Sequence, residues 1–196
     1  MCGRLLQLVA TARRELAEVP GVAVLEGPGV DPAKLVVLLP GAGVDGYAVE
    51  ADLIAAGMPV ELGDRDMIVP IITMADTEDT VARFISTLVT AIERHRGPPR
   101  HPVPSPAWSV SPEVAIPPRE AFFAANETVP ADAAAGRISA ELVAPYPPGI
   151  PVLAPGEVIT GDALAALRTT KAEGGRIAYA ADPTLATLQV IVTGPR

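Results

Sequence analysis

The sequence holds one cysteine, Cys2, and two histidines. An internal disulfide is excluded, and no thiolate cluster is available for zinc or iron. Cys2 reads as an incidental thiol near a terminus. His95 and His101 lack the spacing of a metal pair and are expected to be solvated. Aromatic residues make up only 4% of the chain, so a core must be built from Val, Leu, Ile and Ala. No run reaches eighteen apolar residues, which excludes an obvious membrane-spanning helix. LLQLVA, behind Arg4, is too short for a secretory h-region and is soon interrupted by Arg13, Arg14 and Glu15, so a cytoplasmic protein is expected. Basic residues are outnumbered: the net charge is −8, which repels phosphate backbones and argues against a nucleic-acid partner.

What is present suits one medium domain or two small ones. The 196 residues are 49% hydrophobic and carry 22 prolines that gather at joints. In residues 4–18, Leu5, Leu8, Val9, Ala12 and Leu16 recur at helical spacing. Strands are expected at 22–26 and 34–39, a helix at 47–57 ending at Gly57, and two strands at 60–64 and 67–73. A further helix runs from a cap at Asp76 or Thr77 to about Arg94, with Val81, Ile85, Leu88 and Ile92 along one stripe. Residues 1–95 therefore read as an α/β layer. Residues 96–118 are dense in proline and read as an extended linker in which Trp108 could act as an anchor; an SH3-type ligand is the lesser reading. Residues 119–196 read as a small α+β unit: a short helix at 119–126, strand and turn segments over 127–143, a helix at 161–175, and strands at 176–180 and 187–192.

Few residues suggest chemistry. GPGVDP and PGAGVDG follow strands but fit neither phosphate-loop pattern, so they read as turns. There is no G-x-S-x-G elbow. Glu61, Asp64 and Asp66 flank a hairpin turn and read as a solvated face. Glu141 and Glu157 bracket the stiff stretch PYPPGIPVLAPGE, which could hold two carboxylates in fixed places; the plainer role is to satisfy backbone donors or Arg137. In that stretch proline alternates with Tyr146, Ile150, Val152 and Leu153, so it reads as an ordered, extended arm rather than a second linker, with turns at Gly149 and Gly156.

PREAFF, then E-x-V, A-x-GRI-x-AE, PYPPGIP and PGE follow one another in order over residues 117–160. This series resembles the C-terminal domain of the bacterial ornithine/lysine/arginine decarboxylases, pyridoxal-phosphate enzymes of the aminotransferase fold. Gly136, Arg137, Pro147, Pro148, Gly149, Pro151 and Gly156 carry the motif. Residues from about 13 to 95 resemble the end of that family's major domain. The resemblance implies an α/β small lobe of an aminotransferase-like fold followed by a small α+β C-terminal domain. It also implies a cofactor lysine in a Ser-x-His-Lys context, which neither Lys34 nor Lys171 provides.

The sequence is thus expected to be the C-terminal portion of a basic amino-acid decarboxylase. Alone it is expected to bind no pyridoxal phosphate; it would act with a chain supplying the large lobe, or as a homo-oligomer. The alternatives are a non-catalytic module that binds a full-length decarboxylase, or a truncated remnant. Glu141, Tyr146 and Glu157 are the candidate residues at a substrate entrance or interface. The apolar helix at 4–16 is expected to be left bare and to mark a partner site.

Overall fold

The computed structural model describes residues 2–102, 106–146 and 148–192, without the side chains of Cys2 and Trp108. The chain divides into two compact units, residues 1–103 and 104–196.

The first unit contains helices α1 (Cys2–Ala17), α2 (Gly46–Ala55) and α3 (Glu78–His95) and strands β1 (Ala23–Val24), β2 (Val37–Leu38), β3 (Leu62–Gly63) and β4 (Met67–Val69). The strands form one sheet in the order β1-β2-β4-β3, antiparallel throughout. Strands and helices alternate as expected of an α/β layer; the sheet is antiparallel because β1–β2 and β3–β4 return on themselves through loops without a crossover helix. Its strands are also shorter than the apolar runs that announce them, Pro70 removing the donor that would extend β4.

Local chemistry sets the helix ends. Asp45 caps α2, its carboxylate accepting from Tyr47 N at 2.9 Å. Gly57, at φ +72°, closes α2: Met58 N donates to Leu53 O and Gly57 N to Ile54 O, the paired bonds of a Schellman motif. Thr77 and Thr80 form a reciprocal capping box at the start of α3. The α3 stripe of Val81, Ile85, Leu88 and Ile92 is buried against Leu16, Leu39, Leu53 and Ile68. Leu8, Val9, Ala12 and Leu16 of α1 lie in that same core. The expectation of a bare apolar face on α1 is therefore corrected: α1 packs on α3 and β1, and its apolar stripe closes the first unit's own core.

The expected linker is anchored near both ends. Gly97 N donates to Ala42 O and Arg100 N to Pro40 O, while the Arg100 guanidinium reaches the Asp66 carboxylate and the carbonyls of Val44 and Arg65. Further along, Val158 N donates to Glu113 O, and Ala115 N and Ile116 N donate to Gly156 O. The Trp108 anchor and the motif position Pro147 lie outside the described side chains and residues.

The second unit contains α4 (Pro118–Phe123), β5 (Asn126–Pro130), β6 (Ala144–Tyr146), α5 (Gly161–Ala172), β7 (Arg176–Ala178) and β8 (Thr187–Ile191). β5 pairs antiparallel with β8, and β6 with β7. Thr160 caps α5, its hydroxyl accepting from Ala163 N. Its Ala163, Leu164 and Leu167 join Val143, Leu153, Ile159, Leu188 and Val190 in a second core. No helix among the described residues is long and apolar enough to cross a membrane.

Candidate functional site

Three segments of the second unit interlock around the motif residues. Gly136 N donates to Ile159 O at 2.7 Å, and Ile159 N returns a bond to Arg137 O at 2.8 Å. Ser139 N donates to Glu157 O and Gly156 N to Ser139 O, so the GRISAE segment runs beside the PGE segment. On its other side, Ser139 bridges to Val190 and Ala140 N donates to Gln189 O. The GRISAE segment is thus held between the PGE segment and β8.

Glu141 locks this arrangement. Its side chain is buried, with the residue 9% exposed, and its two carboxylate oxygens accept from Gln189 N and Ala181 N, each at 2.6 Å. Ser139 Oγ donates to Glu141 O at 2.8 Å. Both oxygens are engaged by backbone donors, as a buried carboxylate requires. Glu157 also acts locally, Oε2 accepting from Ala154 N at 2.7 Å. Arg137 serves neither of them. Its guanidinium binds Glu127 at 2.6 Å and the carbonyl of Ile191 at 3.0 Å, clipping the motif to β5 and β8.

The proline-rich arm doubles back instead of running extended. Gly149 N donates to Pro145 O, and Val143 and Leu153 bridge, with Val152 N donating to Val143 O. Val152 and Leu153 enter the core, whereas Tyr146 and Ile150 stay exposed. The Tyr146 ring lies against Gly149. Of the three candidate residues, Tyr146 is the one presented to solvent, at 41% exposure. Glu141 and Glu157 both bind backbone N–H groups, and Tyr146 sits at the end of β6.

In the first unit, a cleft of about 390 Å³ is lined by Met58, Pro59, Ile71, Asp76, Arg83 and Phe84, among others. Backbone and hydroxyl donors of Thr73, with the Thr80 hydroxyl, hold the Asp76 carboxyl below the usual carboxylate range. The expected solvated cluster of Glu61, Asp64 and Asp66 is partly built in. Asp64 Oδ1 accepts from Asp66 N and Met67 N across the β3–β4 turn, while burial raises its pKa, and Asp66 is paired with Arg100. His95 differs from its expectation too, bonding Asp52 at 3.0 Å beside Arg94. Among the described residues no group of three His, Cys, Asp or Glu could hold a metal ion.

One constellation went unremarked in the sequence. α4 exposes two adjacent rings, Phe122 at 74% and Phe123 at 72%, their centroids 5.1 Å apart edge to face. Arg119, one turn earlier, lies over the Phe123 ring at 5.4 Å. The available signal was a Phe-Phe pair in an aromatic-poor chain, with an arginine at i−4.

Comparison with known proteins bears on these motifs. Residues 104–174 match the family Orn/Lys/Arg decarboxylase, C-terminal domain. The chain is 33% identical to the arginine decarboxylase of Halalkalibacterium halodurans over 97% of its own length and 41% of that protein's. It is 37% identical to an arginine decarboxylase of Bacillus anthracis, over 82% of this chain and 33% of that one. The constitutive lysine decarboxylase of Escherichia coli shares the fold with a TM-score of 0.76 at 17% identity, over 97% of this chain and 40% of that structure. The chain thus spans about two fifths or less of these relatives.

Proposed function

We propose, from the match of residues 104–174 to the family Orn/Lys/Arg decarboxylase, C-terminal domain, that this sequence is the C-terminal portion of a basic amino-acid decarboxylase, and that it works with a large lobe carrying the cofactor lysine. The observation that carries the reading is similarity to an arginine decarboxylase along 97% of the chain. In this reading residues 1–95 are the small lobe that follows the cofactor domain, and the second unit shapes the approach to a substrate held elsewhere.

The family uses pyridoxal phosphate, which requires a lysine in a closed pocket and an acidic partner for the pyridine nitrogen. The residues present do not fit that group. Lys34 is exposed in a loop, and Lys171 Nζ donates to Pro183 O at 2.5 Å. Neither lysine lines the cleft beside Phe84. No chemical step is assigned to this chain's own side chains. Glu141 fixes the motif against β8, and in this reading Tyr146, exposed at the end of β6, would face a substrate or a neighbouring lobe.

The test is to purify the chain alone and together with a cofactor-bearing lobe, here the first three fifths of the Halalkalibacterium arginine decarboxylase. Amine release from arginine, lysine or ornithine is then measured. The chain alone is expected to show no activity and no aldimine absorbance, and the pair is expected to release amine. Decarboxylation by the chain alone, or an aldimine band lost on Lys34→Ala or Lys171→Ala, would sink the proposal.

A further inference from the structure

Among the described residues of the second unit the aromatic pair on α4 stays exposed, although the local structure holds it in place. Pro118 begins the helix in its first turn, where its missing N–H costs nothing. Ala121 is buried beneath the helix, while Phe122 and Phe123 on the outer side are each more than 70% exposed. Gly156 of the PGE motif seats this element. Its carbonyl accepts from Ala115 N and Ile116 N, and a Cβ at Gly156 would lie 2.2 Å from Ile116 O and 3.5 Å from the Ala121 Cβ. The motif thus fixes the segment 114–116 that leads into α4. Val114 and Val192 are exposed as well, Val114 bridging to Glu157 and Val192 N donating to Ala125 O. Aromatic and arginine side chains clustered on a rigid element are the usual anchors of a protein interface.

Resting on the function proposed above, we propose that Arg119, Phe122 and Phe123 are the anchor by which the second unit docks on the cofactor-bearing lobe. The arginine decarboxylase matched over 97% of this chain extends for about three fifths of its length beyond the matched segment, so a large body of protein is available to cover the patch. The motif that seats α4 and the rings themselves both lie inside the matched residues 104–174. A second copy of this chain is the poorer occupant, because it would bring a further net charge of −8 to the contact. The complementary surface is an apolar pocket for the two rings with a carboxylate at its rim for Arg119.

The experiment measures capture of the first three fifths of the Halalkalibacterium arginine decarboxylase by the full 196-residue chain. It compares the natural chain, the Phe122→Ala/Phe123→Ala variant, and Ile54→Ala, which removes an exposed apolar side chain of the first unit. The double variant is expected to weaken capture at least tenfold with its melting temperature unchanged, and Ile54→Ala to leave capture unchanged. Equal capture by the natural chain and the double variant overturns the anchor while leaving the proposed function standing. No capture by the natural chain overturns both. A melting temperature that collapses in the double variant shows the rings to be structural and overturns the anchor. Sedimentation of the chain alone gives the last arm: a dimer that the double variant abolishes assigns the patch to self-association instead.

Discussion

Replacing Glu141 by Gln separates a carboxylate that holds the fold from one that waits for a cationic ligand. The two backbone donors, Ala181 N and Gln189 N, each lie 2.6 Å from a different carboxylate oxygen. A glutamine keeps one acceptor and turns an amide N–H₂ toward the other backbone N–H. One charge-assisted bond is lost, and one buried donor faces another donor. Bonds to charged groups contribute roughly 1.5–3 kcal/mol, and an unsatisfied buried donor costs about 1–3 kcal/mol. Allowing for partial relaxation, Glu141→Gln should destabilise the second unit by about 2–4 kcal/mol, or lower its Tm by about 10–20 °C for a unit of this size. Glu157→Gln is the internal control. Only Oε2 has a described partner, Ala154 N, and a glutamine oxygen can replace it, so the change should stay within about 0.5 kcal/mol. Amide hydrogen exchange in α5 and β8 under thermal or urea stress follows that unit. If Glu141→Gln left the midpoint unchanged or raised it, the carboxylate would not be holding the backbone, and a ligand-binding role would regain force.

Two further perturbations test the same unit. The Asp182 carboxylate accepts from the hydroxyls and backbone N–H groups of Thr184 and Thr187, led by the Thr184 hydroxyl, and these bonds hold its carboxyl far below the usual range. A depressed folded-state pKa gives stability that is full above the unfolded value of about 4 and is lost as pH falls through the folded value. The urea midpoint of the natural chain should therefore fall below about pH 4 more steeply than that of Asp182→Asn, and parallel profiles would refute the assignment. Gly156→Ala should cost at least about 2 kcal/mol, because φ is +96° and the new Cβ would meet Ile116 O at 2.2 Å; a urea midpoint within error of the natural chain's would contradict that close approach.

The helices were legible in the sequence because their signals are local. The α3 stripe with its cap at Asp76 or Thr77, the Gly57 stop of α2 and the helix expected at 161–175, observed as Gly161–Ala172, each follow from residues within two turns of one another. Sheet topology was not, since runs such as KLVVLL announce burial without a partner or a direction. Only two residues of that run pair in β2, and both neighbours are antiparallel. The bare face expected of α1 failed for a related reason. An amphipathic stripe reports that a helix has something to cover, not whether the cover lies in the same unit, and here Leu16 and Ile92 supply it to each other's core.

The candidate site divides along the same line. The order of PREAFF, GRISAE, PYPPGIP and PGE was visible, yet the residues that looked chemical within it were the acids, and acids in such a word have two physical uses. Burial decides between them: an ionised carboxylate taken out of water must be surrounded by donors, and in Glu141 those donors are Ala181 and Gln189, some forty residues along the chain and invisible to spacing. Exposure decides for the rings in the opposite sense. A folded unit that buries Val152, Leu153 and Leu188 completely has the means to bury Phe122 and Phe123 as well, and instead holds them outward on a helix seated by Gly156. The motif therefore encodes two things at once, a backbone clamp turned inward and an aromatic face turned outward. Substitutions in the clamp should register in melting curves, and substitutions in the face in binding alone.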